Sequence, residues 1–178
     1  MKLRTANKTD YNVIKPLYNM AFPKEERAPF FFIKHRAIQG RATMLIAEKD
    51  GEFIGFCYTV SCKNLIYLFY FAVAENKRGN GSGSEKLHLL KKYYEGKKIF
   101  LAREPLDDNA DNSRQRISRR DYYIRNGFKD LPYKIREASV IYDLMSTDED
   151  IDPKDYDMLI KKWAGNIIVH IVKMEVIS

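Results

Sequence analysis

A chain of 178 residues, 45% hydrophobic and 31% charged, carries enough apolar side chain for one folded domain of ordinary size, which excludes a disordered segment. Its longest apolar run, residues 65–74, falls far short of the ~20 residues a membrane-spanning helix needs. The formal net charge of +7 admits nucleic acid, an anionic surface or a phosphate-bearing ligand as partner, and equally a merely solvated surface.

The opening residues, "MKLRTANKTD", have no apolar stretch of the signal-peptide kind, so the expected setting is cytoplasmic. Residues 2–6 read as a strand. Thr9 or Asp10 then caps a helix with apolar positions Val13, Ile14, Leu17, Tyr18 and Ala21, in which Pro16 should kink the helix or delay its start. "FPKEERAP" breaks the pattern at two prolines, and residues 30–38 form a second short helix closed by Gly40. Residues 43–48 and 53–60 are strands joined through Asp50-Gly51, a strong hairpin signal. Cys57 and Cys62 fit no metal or disulfide pattern and read as small apolar fillers in a reduced compartment. Residues 64–73 are a third strand, rich in aromatic and β-branched side chains.

After "ENKRGNGSGSEKL", Leu87, Leu90 and Tyr94 recur at helical spacing and Gly96 ends that helix. Residues 98–102 are a buried strand, and a polar loop leads to a helix over residues 113–126, stopped by Gly127. Residues 128–133 and 135–145 form a hairpin. Asp152-Pro153 starts a last helix with the apolar stripe Tyr156, Leu159, Ile160 and Trp163. Residues 167–177 read as a strand or a docked tail. A strand meander feeding a β-α-β-α unit calls for a mixed sheet with flanking helices.

The glycine turn between strand and helix carries the chemistry. Free amides at a helix N-terminus attract anions, and glycine lets the backbone approach a phosphate without a Cβ in the way. A P-loop spacing fails, because Ser84 and Glu85 stand where Gly and Lys are required. A dinucleotide fingerprint fails as well, with Ser84 or Lys86 at its third glycine. What remains is Arg-x-x-Gly-x-Gly: Arg78, Gly81 and Gly83.

"VAENKRGNGSGSEKL" resembles the acyl-CoA pyrophosphate loop of the GNAT family of N-acetyltransferases. "YYIRNGF", residues 122–128, is similar to that family's Tyr-x-x-x-Gly-Phe segment, and "AFPKEER" to an acidic segment bordering its acceptor site. The resemblance covers about residues 2–145. It implies a GNAT-type α/β (α+β) fold: a mixed, mostly antiparallel central sheet flanked by helices, here with a C-terminal helix/strand appendage over about 146–178, all one domain.

The implied activity is acetyl-CoA-dependent transfer of an acetyl group to a primary amine of a small molecule or peptide, by direct attack in a ternary complex. The alternative is an acyl-CoA-binding regulatory module without turnover. The resemblance implies that the backbone of Phe71, Ala72 and Val73 meets the pantetheine arm, with the Val73 N–H on the thioester carbonyl. It places the diphosphate on Arg78, Gly79, Asn80, Gly81, Ser82, Gly83 and Ser84. Tyr123 matches the family's general acid, while Tyr122 is expected to face the core. Glu104 is the candidate base; Glu25, Glu26 and Tyr70 are candidates for the acceptor side. Where many relatives carry an asparagine on the tyrosine helix this chain has Arg116, a candidate cofactor contact, with Asn112 upstream.

Arg114, Arg116, Arg119, Arg120 and Arg125 read first as a solvated helix face, then as a cofactor contact, and last as a nucleic-acid surface, for which no recognition motif is present. His35, His88 and His170 have no partner pattern, and no metal site is expected. The C-terminal appendage is a candidate homodimer surface.

Overall fold

The structure, a computed structural model, describes residues 1–137, 140–165 and 174–177, with the backbone alone at Glu25, Pro153, Met174 and Glu175. Eight strands form one sheet among the described residues: β1 (Lys2–Thr5), β2 (Thr43–Lys49), β3 (Glu52–Cys62), β4 (Leu65–Val73), β5 (Lys98–Arg103), β6 (Lys129–Glu137), β7 (Val140–Ser146) and β8 (Met174–Ile177). Their order is β1-β2-β3-β4-β5-β7-β6-β8. The β4–β5 pairing is parallel, and β1–β2, β2–β3, β5–β7, β6–β7 and β6–β8 are antiparallel. Five helices accompany them: α1 (Tyr11–Ala21), α2 (Phe30–Ile38), α3 (Ser82–Tyr93), α4 (Ser113–Arg125) and α5 (Pro153–Ala164). None is long and apolar enough to cross a membrane. The mixed, mostly antiparallel sheet with flanking helices is the architecture expected above.

The chain divides into two compact units, residues 1–60 with 68–96 and residues 61–67 with 97–178. In the first, the β2–β3 turn takes positive φ at Asp50 (54°) and Gly51 (82°), the backbone an Asp-Gly hairpin requires. Helix α1 buries Tyr11, Ile14, Leu17 and Tyr18 at the 3.6-residue period, but Val13 is 46% exposed. Pro16 lies inside α1 on its exposed side and does not delay its start. Asp10 is the N-cap residue without a side-chain cap bond. Its carboxylate is spent on Arg4 (2.7 and 3.0 Å) and on the Asn7 N–H (2.6 Å). Arg4 reaches Glu48 across the β1–β2 ladder as well (2.6 Å). Both carboxyls are held below the usual carboxylate range, chiefly by their hydrogen bonds from Arg4.

In the second unit the hairpin turn falls later than the sequence indicated, because β6 continues through Pro132 to Glu137; residues 138–139 lie outside the described residues. A register shift between Asp130 and Lys134 accommodates the proline, which has no N–H to give to a ladder. Helix α5 starts as expected, with Asp152 accepting the Lys154 N–H (2.9 Å), and buries Tyr156, Leu159, Ile160 and Trp163. Tyr67 stacks on Phe100 at 4.7 Å between centroids, and Tyr156 meets Tyr67 edge-on at 5.9 Å. The hydroxyls of Tyr67 and Tyr156 both donate to Glu137 Oε1 (2.7 and 2.9 Å). The segment read as an appendage thus shares a core with β4's first residues and β5. Of residues 167–177, 174–177 are the strand β8 and the rest, with His170, lie outside the described residues.

Candidate active site

The glycine turn belongs to the first unit. β4 ends at Val73, a single 3₁₀ turn covers Glu75–Lys77, and α3 begins at Ser82 with Gly81 as its N-cap. Gly79 (φ 83°) and Gly81 (φ 80°) both take the left-handed conformation, which costs any other residue about 1–2 kcal/mol. A Cβ built at either position meets nothing within 4 Å, so the backbone is bare and faces open space. Gly81, as N-cap, offers no side chain to the first amides of α3, which have no intrahelical acceptor. Asn80 and Ser82 shape the turn: Asn80 Oδ1 accepts from the Ser82 hydroxyl (2.6 Å) and N–H (3.3 Å). Ser82 is buried and its side chain is spent there.

Arg78 is exposed and donates through Nε to the Val73 carbonyl (3.1 Å); no carboxylate pairs with it among the described residues. By contrast, Lys77 is paired with Glu52 (2.5 Å). A planar guanidinium beside a helix N-terminus and bare glycine backbone suits a phosphate-bearing ligand.

At the end of β4, Ala72 is buried and its carbonyl accepts from Lys86 Nζ (2.5 Å), whose ammonium lies 3.7 Å from the centre of the Phe71 ring. Sequence reasoning missed Lys86. A lysine that follows a glycine-rich turn and a glutamate reads as solvated, and only burial reveals it.

The acidic segment is pinned from below by two tyrosines. Tyr18 donates to the Ala28 carbonyl (2.7 Å), and the Ala28 N–H donates to the Tyr70 hydroxyl (3.0 Å). Burial pushes Tyr18 up to about 12, partly offset by Tyr70. Tyr70 is 3% exposed, edge-on to Tyr18 and Phe22 at 4.9 Å each. It therefore anchors the chain at Ala28, just after the Glu25–Glu26 turn. Glu26 is half-buried on that turn.

In the second unit, Glu104 follows β5 and its carboxylate is already claimed. It accepts from Asn112 Nδ2 (3.1 Å) and Arg119 (2.8 Å) and is paired with Arg116 (3.1 Å). Arg116 also donates to Asn112 Oδ1 (2.7 Å) and the Pro105 carbonyl (2.9 Å). These bonds fasten the start of α4 to the β5 exit. Arg116 thereby acts as a structural clamp at this position. Arg120 pairs with Asp130 (2.6 Å). Three of the five clustered arginines are thus paired with carboxylates inside the unit.

Tyr123 is 9% exposed, edge-on to Phe128 at 5.6 Å and to Tyr122 at 5.2 Å. The Phe128 N–H returns to the Tyr123 carbonyl (3.0 Å), closing α4 through Gly127 (φ 77°). Tyr122, expected to face the core, is only half-buried and Tyr123 is the deeper ring. His35 and His88 are exposed, Cys57 and Cys62 are free thiols, and no cluster fit for a metal exists among the described residues.

The glycine turn at the start of α3 and the Tyr123–Phe128 segment are the features on which the resemblance to acetyl-CoA-dependent acyltransferases rests. The comparisons agree. The Acetyltransferase (GNAT) family model matches residues 11–116, and the chain belongs to that family. An uncharacterized N-acetyltransferase, YhfO of Bacillus subtilis, is 32% identical over 104 residues, covering 52% of this chain and 70% of that protein. Among solved structures, a putative acetyltransferase from Bacteroides thetaiotaomicron superposes with TM-score 0.73 at 21% identity, covering 94% of this chain and 98% of that one. The putative acetyltransferase yncA from Salmonella typhimurium, solved with its cofactor acetyl-CoA, superposes with TM-score 0.60 at 17% identity over 86% of this chain and 97% of that one.

Proposed function

We propose that the protein is an acetyl-CoA-dependent N-acetyltransferase acting on a primary amine of a small molecule or peptide, by direct attack and without a covalent enzyme intermediate. The observation that carries this reading is the turn at Gly79 and Gly81, with bare backbone, open space where a Cβ would stand, and Arg78 beside it without a carboxylate. Acetyl-CoA supplies the acetyl group as a thioester. Arg78 and the amides from Gly79 to Ser84 hold its diphosphate, and the backbone of Phe71, Ala72 and Val73 orients its pantetheine arm. The Val73 N–H takes the carbonyl oxygen as negative charge gathers there.

Tyr123 hands its hydroxyl proton to the departing sulfur, whose thiol has an ordinary pKa of ~8.5. The amine arrives protonated, with a pKa near ~10, so the Glu25–Glu26 segment serves to draw a cation and to accept its proton through water. Glu104, already holding two arginines and an asparagine, positions α4 and with it Tyr123, in place of the base role its position suggested. Burial pushes the Cys57 thiol up, which keeps it from serving as a nucleophile.

The test combines calorimetry with acetyl-CoA and a thiol-release assay over an amine panel. Binding with release of free CoA is the expected result, and Tyr123→Phe should lower kcat by about 10²-fold while CoA still binds. Absence of binding refutes the reading. Binding without turnover for any amine leaves the acyl-CoA-binding module instead.

A further inference from the structure

Lys86 has no part in the chemistry just described, yet it is 0% exposed. It lies on α3, the helix that the glycine turn opens, between the half-buried Glu85 and the core residue Leu87. Its ammonium has three protons. Two of them go to backbone carbonyls, Phe56 on β3 at 2.9 Å and Ala72 on β4 at 2.5 Å. The third direction meets the face of the Phe71 ring at 3.7 Å, a cation–π contact. An ammonium in a dry interior is costly unless its protons are all taken, and here they are.

The same carbonyl explains Gly55. A Cβ at Gly55 would stand 2.1 Å from the Ala72 oxygen, closer than any real contact. The carbonyl therefore occupies the space a side chain on β3 would fill, and Lys86 holds it there. No peptide bond among the described residues is cis. In a planar trans peptide the carbonyl of one residue and the N–H of the next point in opposite directions. With the Ala72 oxygen turned toward Lys86, the Val73 N–H is directed away from it. A cation on a peptide oxygen also polarises the whole unit and strengthens its N–H as a donor.

We propose that Lys86 is a positioning residue for acyl transfer: by gripping the Ala72 carbonyl it fixes the direction of the Val73 N–H that receives the thioester oxygen. The inference rests on the reading of Val73 given above and goes beyond it by assigning the group that sets it. Burial lowers Lys86 to about 8, and Cys57 on β3, a buried thiol itself pushed up by burial, is the titratable neighbour that acts on it. The grip is thus carried by the ammonium at neutral pH and weakens as pH rises through about 8.

Lys86→Met keeps the length of the side chain and removes its donors, and exchanging a buried charge for a packed apolar group need not destabilise a fold. The expected result is a fall in kcat of about ten-fold or more, with KM for acetyl-CoA changed less than about three-fold. In the ligand-free variant the Val73 amide resonance, read by 1H–15N NMR, should move. Wild-type kcat in the folded variant, or an unmoved Val73 amide, overturns the proposal. If Lys86→Met does not fold, the wild-type protein and Cys57→Ser are titrated instead: in both, the Val73 amide should shift with a midpoint near 8, and a flat titration overturns the proposal. A wild-type protein that acetylates no amine refutes the enzyme reading alone, and the amide measurement still decides the role of Lys86.

Discussion

Replacing Gly81 by alanine separates what the turn costs the protein from what it does for a ligand. Gly81 lies at φ 80°, ψ −3°, and a Cβ there touches nothing in the protein within 4 Å. The substitution therefore adds backbone strain alone, about 1 kcal/mol, or a Tm lower by ~2–4 °C for a chain of this length. Gly40, at φ 69° with equally empty surroundings, is the matched control at the end of α2. Strain of that kind burdens free and bound protein alike, so by itself it leaves affinity for CoA unchanged. A diphosphate lying against the Gly81 backbone would meet the added methyl, and a loop that moved aside would lose its amide alignment. Either event should weaken CoA binding by about ten-fold, roughly 1.4 kcal/mol. Thermal unfolding of Gly81→Ala and Gly40→Ala should give similar losses, while calorimetry with CoA should separate them. If Gly81→Ala binds CoA as tightly as Gly40→Ala does, the diphosphate does not rest on this turn.

Gly55→Ala sets a methyl 2.1 Å from the Ala72 oxygen and should cost more than about 3 kcal/mol in urea unfolding; a loss under about 0.5 kcal/mol would show that the strands part freely. Tyr156→Phe takes one of two hydroxyl donors from Glu137 and should lower stability by about 1 kcal/mol, a Tm drop of ~2–4 °C that an unchanged melting curve would contradict. Asp10 and Glu48 have their pKa values depressed chiefly by Arg4, so the stability they add is complete above the unfolded carboxyl values near ~4 and is lost as pH falls through their folded values. Arg4→Met should therefore melt lower than wild type at pH 7 and approach it at about pH 2–3; an equal gap at both pH values would remove Arg4 as the cause.

Local signals were the legible ones. Asp50-Gly51 set a hairpin, Asp152-Pro153 set a helix start, and the residue period gave α2 its observed bounds, because each depends on neighbours within one turn. The glycine turn was legible for the same reason, since its φ values and its missing Cβ atoms are properties of the residues themselves. Bonds that join distant segments were not. Nothing in the sequence joins Glu137 to Tyr67, 70 positions away, or Lys86 to the Phe56 carbonyl, 30 away. Nor does it join the Tyr70 hydroxyl to the Ala28 N–H, 42 positions away. Tyr122 and Tyr123 differ by one position on a helix whose polar sequence gives no clear inner face, so the pattern could not say which ring goes in.

Charge shows the same division and bears on what the protein binds. The arginine-rich α4 reads as a basic face, yet Arg116 and Arg119 share Glu104 and Arg120 holds Asp130. Arg114 and Arg125 meet no carboxylate among the described residues, but eleven positions of helix put them ~16 Å apart, beyond the ~10 Å over which exposed charges cooperate in ordinary salt. A polyanion stripe needs several cations within that length, so α4 does not supply one. Arg78 is different in kind. It is an exposed cation without a carboxylate among the described residues, close in sequence to two left-handed glycines and the start of a helix. That concentration suits a compact diphosphate better than an extended nucleic acid. It predicts that Arg78→Ala weakens CoA binding in calorimetry while leaving the melting temperature within about 1 °C, since the substitution removes only an exposed hydrogen bond to the Val73 carbonyl. A large fall in stability with no change in affinity would reverse the assignment and make Arg78 a strut of the β4 exit.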